Sequence, residues 1–96
     1  MKLKIIAVCG FGAGSSLMLK MKVDEMLKKN GLGLSAETTD VGSVASVPCD
    51  MIFTSRELAP KIANKVKVPV IPIINFLDIN EIENKGLETV KGLLNR

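Results

Sequence analysis

Histidine is absent from this chain of 96 residues. A Ser-His or Cys-His catalytic pair therefore cannot form within it, and histidine-based metal sites are excluded. Tryptophan and tyrosine are missing as well, and the three phenylalanines are the only aromatics, so the core must be aliphatic. No apolar run approaches the roughly 20 residues of a membrane-spanning helix. Lys2 and Lys4 ahead of Ile5, Ile6, Ala7 and Val8 mimic an export signal. The apolar stretch is shorter than the roughly 7–15 residues such a signal needs. Cysteine is scarce. Cys9 and Cys49 stand far apart with no CxxC spacing, which argues against a disulfide framework or a zinc site and for a reducing cytoplasm. Neither a metal nor a cofactor is expected.

What is present fits one small soluble domain over residues 1–96, with 47% hydrophobic and 24% charged residues. The net charge of +3 is modest, and the lysines are scattered rather than massed in one tract. Without an interleaved basic and aromatic surface pattern, nucleic-acid binding has no support.

Four strand-like runs alternate with helix-like ones. Residues 3–8 form a nearly continuous apolar run, as in a buried parallel strand. From Ser15 or Ser16 to Asn30, Leu19, Val23, Met26 and Leu27 recur at helical spacing, and Asn30-Gly31 supplies a stop. Residues 34–39 alternate and predict a half-exposed second strand, and residues 51–54 a buried third one. A short helix is expected over 55–65, with Pro60 in its first turn. Residues 68–74 carry Pro69 and Pro72 and read as an edge strand. Asp78-Ile79-Asn80-Glu81 has the form of a capping box for a last helix burying Ile82, Leu87, Val90 and Leu94, which Gly86 should weaken.

The alternation predicts an α/β fold, a four-stranded parallel sheet in the order 2-1-3-4 with helices on both faces. Its topological switch point falls at the C-terminal ends of strands one and three, where open α/β sheets bind ligands. Cys9 stands there.

After strand one the chain runs Cys9-Gly10-Phe11-Gly12-Ala13-Gly14-Ser15-Ser16 into a helix. Glycines permit close approach of backbone N–H groups, and a helix start favours both thiolate and phosphate. This is the expected phosphate loop, with Cys9 as nucleophile and Gly10, Phe11, Gly12, Ala13, Gly14, Ser15 and Ser16 as the cradle. The plain alternatives are a buried cysteine acting as a small hydrophobe and a serine acting only as helix N-cap. A Walker A loop needs a Gly-Lys-Ser/Thr ending, and Gly14-Ser15-Ser16 lacks the lysine. The glycine spacing is G-x-G-x-G, a weak dinucleotide signal even with Asp40 as a ribose-binding acid. Low-molecular-weight tyrosine phosphatases use Cys-x5-Arg-Ser/Thr, and Ser15 occupies the arginine position here. Without that guanidinium, hydrolysis is disfavoured. A cysteine phosphatase-like enzyme and a small nucleotide-binding module remain the alternative readings.

The segment from Lys4 to Lys22, KIIAVCGFGAGSSLMLKMK, resembles the start of an enzyme IIB component of the bacterial phosphoenolpyruvate-dependent sugar phosphotransferase system. The likeness is to the ascorbate-type group within the ascorbate/galactitol class. The Met-Ser-Thr-Ser pattern of lactose/cellobiose-type IIB loops is missing. The resemblance implies a phosphotransferase subunit whose Cys9 accepts a phosphoryl group from a phosphohistidine of the IIA component. Cys9 would pass it to a sugar, ascorbate or a related compound, bound by the membrane component IIC. It further implies a cytoplasmic protein, peripheral to the inner membrane through IIC.

Seven positions, Phe11 among them, have further expected roles. Phe11, at the loop tip, is a candidate contact for both partners, or packs over the helix start. Cys49, between Pro48 and Asp50 at the far end of the sheet, reads as structural, with Asp50 capping a turn. Ser55 is expected to cap the next helix, and Arg56 either steers a phosphate or is a solvated surface residue. Met18 and Met21 read as core or as partner-facing filler.

Overall fold

The two most continuous apolar runs become the two middle strands. β1 (Ile5–Val8) is buried at every position, and β3 (Met51–Ser55) at all but its last. Side chains alternate across a strand, so burial on both faces requires cover on both. The structure, a computed structural model, describes residues 3–8 and 13–95, with residues 13–16 described by their backbone alone. β2 (Ala36–Thr39) and β4 (Val70–Ile73) flank the central pair, giving the order β2-β1-β3-β4. Every neighbouring pair is parallel, with Ile5 in register with Ala36 and Met51, and Thr54 with Val8 and Pro72. This is the order expected from the sequence. Pro72 sits on the edge strand, where a missing N–H breaks no interior ladder.

The sheet has a cluster of buried residues on each face. On one, Ile5, Ala7 and Phe53 lie beneath Leu19 and Val23 of α1 (Ala13–Lys29) and Ile82 of α3 (Ile79–Leu94). On the other, Ile6, Val8 and Ile52 meet Ile62 of the short α2 (Ala59–Ala63) and Val44 of a 3-10 turn at Val44–Ser46.

The stop after α1 is a Schellman motif. Gly31, at φ 67°, lets its N–H reach the Lys28 carbonyl at 3.0 Å while the Leu32 N–H reaches that of Leu27 at 3.1 Å. Leu27 and Leu32 both join the first cluster. A second positive φ at Gly33 prolongs the turn, so β2 begins at Ala36 rather than at 34. There the Asp24 carboxylate accepts the Ala36 N–H at 2.6 Å and ties the edge strand to α1.

Residues 56–58 form a turn instead of helix, and the Ser55 hydroxyl accepts the Leu58 N–H at 3.2 Å. Ser55 therefore caps a turn, and α2 begins beyond it with Pro60 in its first turn, as expected. At α3 the Asp78 side chain accepts the N–H groups of Asn80 and Glu81, at 3.0 and 3.3 Å. Glu81 does not complete the capping box. Its carboxylate turns outward and accepts the N–H groups of Ile74 and Asn75, at 2.7 and 2.8 Å. The Asp78 N–H is satisfied by the Asn75 carbonyl at 3.1 Å.

Gly86 is buried in mid-helix, where glycine is a poor helix former. Its role is steric: a Cβ there would lie 2.5 Å from Phe53 Cε1. α3 can lie on the Phe53 ring only where it presents bare backbone. Replacing Gly86 with alanine is therefore expected to destabilise the fold by about 1–3 kcal/mol despite the helix-propensity gain. Gly92→Ala, where nothing lies within 4 Å, should stabilise by about 0.4–1 kcal/mol. Urea denaturation of both variants checks this; a Gly86→Ala midpoint at or above wild type contradicts the contact.

Glu81 gives the fold a pH dependence. Burial alone would raise its pKa, but hydrogen bonds from Ile74, Lys85 and Asn75 outweigh burial and hold it below the ordinary glutamate value. A depressed native pKa contributes stability above the unfolded-state value and loses it as pH falls through the native one. On lowering pH from about 6 to about 3, the stability gap between wild type and Glu81→Gln should close. A constant gap in urea midpoints across that range would disprove it.

Candidate functional site

Helix direction decides where the sheet opens. The chain leaves β1 for the face covered by α1, and leaves β3 for the face covered by α2. β1 and β3 are neighbours, so their C-terminal ends lie where the chain departs to opposite faces of the sheet. That is the position at which open α/β sheets bind ligands.

Thr54 fixes the β3 side of this position. It is a fully buried polar residue whose hydroxyl donates to the Val8 carbonyl at 2.9 Å. A buried hydroxyl without a partner is costly, so this bond holds the end of β1 against β3. The sequence signal for it is a polar residue following the apolar run Met51-Ile52-Phe53.

Of the expected site residues, Cys9, Gly10, Phe11 and Gly12 lie outside the described residues. Ala13, Gly14, Ser15 and Ser16 form the opening turn of α1, so the helix starts two or three residues earlier than the spacing of its apolar positions suggests. The first N–H groups of any helix lack intrahelical acceptors. Four residues thus separate the end of β1 from a helix N-terminus.

Arg56 follows β3 directly. Its N–H donates to the Ile73 carbonyl at 3.2 Å, and its exposed side chain has no carboxylate partner among the described residues. Five of the lysines, Lys4, Lys20, Lys22, Lys29 and Lys85, are each paired with an acid. Met18 and Met21 are exposed, which removes the core reading for both.

The opposite edge holds Cys49. It is half-buried against the second cluster, and burial together with the neighbouring Asp50 charge raises its thiol pKa, partly offset by Lys4. A thiol held protonated is a poor nucleophile. Asp50 extends the ladder. Its N–H donates to the Lys4 carbonyl at 2.8 Å, and its carboxylate accepts the Lys4 N–H at 2.8 Å. An open cleft of about 420 Å³ lined by Leu3, Lys4, Gly33 and Glu37 lies at this far edge too. Among the described residues no three potential ligands gather as a metal site, and no helix is long and apolar enough to cross a membrane.

Comparison with known proteins agrees with this architecture. Residues 4–87 match the family described as "PTS system, Lactose/Cellobiose specific IIB subunit". An "Ascorbate-specific PTS system EIIB component" of Shigella boydii is 33% identical over 94 residues, covering 96% of this chain and 93% of that protein. The protein of the same description from Mycoplasma pneumoniae is 31% identical over 83 residues, covering 84% and 87%. The lactose-specific IIB domain from Streptococcus pneumoniae superposes with a TM-score of 0.63 at 13% identity, over 99% of this chain and 97% of that one, a likeness of fold. The ascorbate-specific relatives agree with the group to which the sequence was likened. IIB components act as phosphotransferases in sugar transport, and this chain belongs to the IIB subunit family of the sugar phosphotransferase system.

Proposed function

We propose that Cys9 carries the phosphoryl group, with Gly10, Phe11, Gly12, Ala13, Gly14, Ser15 and Ser16 as its cradle. One observation supports this above the others. The short connection holding Cys9 joins the end of β1 to the start of α1 at the point where the sheet opens. The donor is the phosphohistidine of a IIA component, and the acceptor a sugar bound by the membrane component IIC. With ascorbate-specific relatives, the sugar is L-ascorbate or a related compound. The subunit works in the cytoplasm, peripheral to the membrane through IIC.

In the first step the Cys9 sulfur attacks phosphorus in line with the departing imidazole nitrogen. The P–N bond breaks, an S–P bond forms, and the thiol proton ends on the imidazole. In the second, a sugar hydroxyl attacks phosphorus, the S–P bond breaks, and the hydroxyl proton restores the thiol. Phosphoryl transfer of this kind rests on positioning and on N–H groups that take up equatorial charge. The helix N-terminus favours both the thiolate and the phosphorylated state. A missing arginine six residues after Cys9 suits a carrier, since water attack on the S–P bond is not promoted.

Intact-mass spectrometry after incubation with phosphoenolpyruvate, the general phosphotransferase proteins and a IIA partner is the test. Wild type and Cys49→Ser should gain one phosphoryl group that maps to Cys9 and returns to IIA, and Cys9→Ser should gain none. Phosphorylation at any other residue rejects the mechanism. A wild type that stays unmodified with IIA proteins active on their own partners shifts weight to a phosphatase-like or nucleotide-binding role.

A further inference from the structure

Among the described residues Thr54 is the one fully buried side chain that is polar. Alternation along β3 puts it on the face of Ile52, away from Met51 and Phe53. The buried residues of that face are otherwise apolar: Ile6, Val8, Val44, Ile52 and Ile62. Packing gives no reason for a hydroxyl there. Valine has the same branched shape, suits a strand as well, and carries no polar atom to desolvate. What the hydroxyl adds is its bond to the Val8 carbonyl at 2.9 Å.

That carbonyl has a particular place in the chain. Val8 is the last residue of β1, and its carbonyl shares a peptide unit with the backbone N–H of Cys9. A peptide unit is planar, so a bond that fixes the oxygen also fixes the plane from which the chain leaves the strand. Val8 is in register with Thr39 on one side and with Thr54 on the other. β2 is an edge strand and Thr39 is only half-buried. Thr54 belongs to the buried central neighbour, where a hydrogen bond shielded from water is stronger than one at the surface.

We propose that Thr54 is a positioning residue for phosphoryl transfer, holding the Val8–Cys9 peptide plane so that sulfur meets phosphorus in line. The proposal rests on Cys9 being the acceptor. Thr54 acts through the backbone of β1 and not on the phosphoryl group itself. In-line displacement is sensitive to angle and distance, and a misplacement of about 1 Å can cost about 100-fold in rate. Binding of the donor protein depends on surface side chains, and Thr54, fully buried, presents none. A loss of rate without a loss of binding is therefore the mark of this role.

The test follows single-turnover transfer from phosphorylated IIA by intact mass across a range of IIA concentrations. Thr54→Val keeps the shape and removes the hydroxyl. Its saturating rate should fall about tenfold, with the half-saturating IIA concentration unchanged. Thr54→Ser keeps the hydroxyl and should return the rate to within about twofold of wild type. Thr54→Ala loses the hydroxyl through a different packing change and should repeat the valine result; it also replaces valine if that variant does not fold. Gly86→Ala, which strains the opposite face of the sheet, controls for lost stability and should transfer at the wild-type rate. Across pH, the alkylation of Cys9 by iodoacetamide should keep one midpoint in all variants, because the change is in alignment and not in thiol ionisation.

A Thr54→Val rate equal to wild type overturns the proposal, as does a serine variant no faster than the valine one. An equal fall in Gly86→Ala reduces Thr54 to a structural role. A shifted alkylation midpoint overturns it in favour of an effect on the thiolate, and a raised half-saturating concentration alone in favour of a binding effect. A wild type that takes no phosphoryl group at all rejects the functional reading itself, a result distinct from the others.

Discussion

The rest of the structure depends on the parallel pairing of β1 with β3. Two buried strands side by side need a covering layer above and below, and the chain must supply both from its own crossovers. Right-handed connections in opposite directions along the sheet place successive helices on opposite faces. α1 and α2 obey this constraint. The packing solution for the core and the divergence of the chain at the strand ends are therefore one event. Thr54 secures it at the point of divergence by bonding the Val8 carbonyl, so the last residue before the Cys9 connection is tied to the other central strand.

Cover on the α1 side is completed by α3, which meets the sheet at the Phe53 ring through the bare backbone of Gly86. The same helix organises the edge. Glu81 faces back toward β4 and takes the N–H groups of Ile74 and Asn75, while Asp78 caps the helix. Two adjacent carboxylates thus divide the work of a helix start: one satisfies the helix, the other the preceding connection. Glu83, by pairing with Lys29 and accepting a hydrogen bond from Asn30, joins α3 to the end of α1.

Strand order was legible because it follows from local composition. Apolar residues 5–8 and 51–53 can only be central, and prolines 69 and 72 can only be peripheral. The stop at Gly31 was equally local. Other features depend on partners distant in sequence. Gly86 reads as a weak point in a helix until Phe53 lies against it. Glu81 fits a capping box until the N–H groups of Ile74 and Asn75 compete for it and win with two hydrogen bonds. The start of α1 was misjudged because glycine and serine suggest a loop, yet Gly14 and Ser15 fall in its first turn. The topological switch point at the ends of β1 and β3 was legible as a consequence of strand order. Exposure of Leu17 and Met21 was not, because apolar residues on both sides of a short helix look the same in sequence whether one side or both are covered.

The two edges of the sheet carry opposite kinds of surface, and this bears on how a carrier works. At the N-terminal edge Lys4 pairs with Glu37, its carbonyl accepts the Asp50 N–H and its N–H donates to the Asp50 carboxylate, while burial and Asp50 raise the Cys49 thiol pKa. Its polar groups are largely satisfied within the chain. At the C-terminal edge apolar side chains face solvent and Arg56 has no carboxylate partner among the described residues. A protein that must bind one partner, release it and bind another gains nothing from a surface already satisfied by itself. Nor does it gain from one so apolar that the first complex persists. A few exposed apolar side chains lie between those limits, offering enough area to orient an encounter and too little to prevent exchange. Burial and the Asp50 charge raise the Cys49 thiol pKa, which makes it a poor nucleophile.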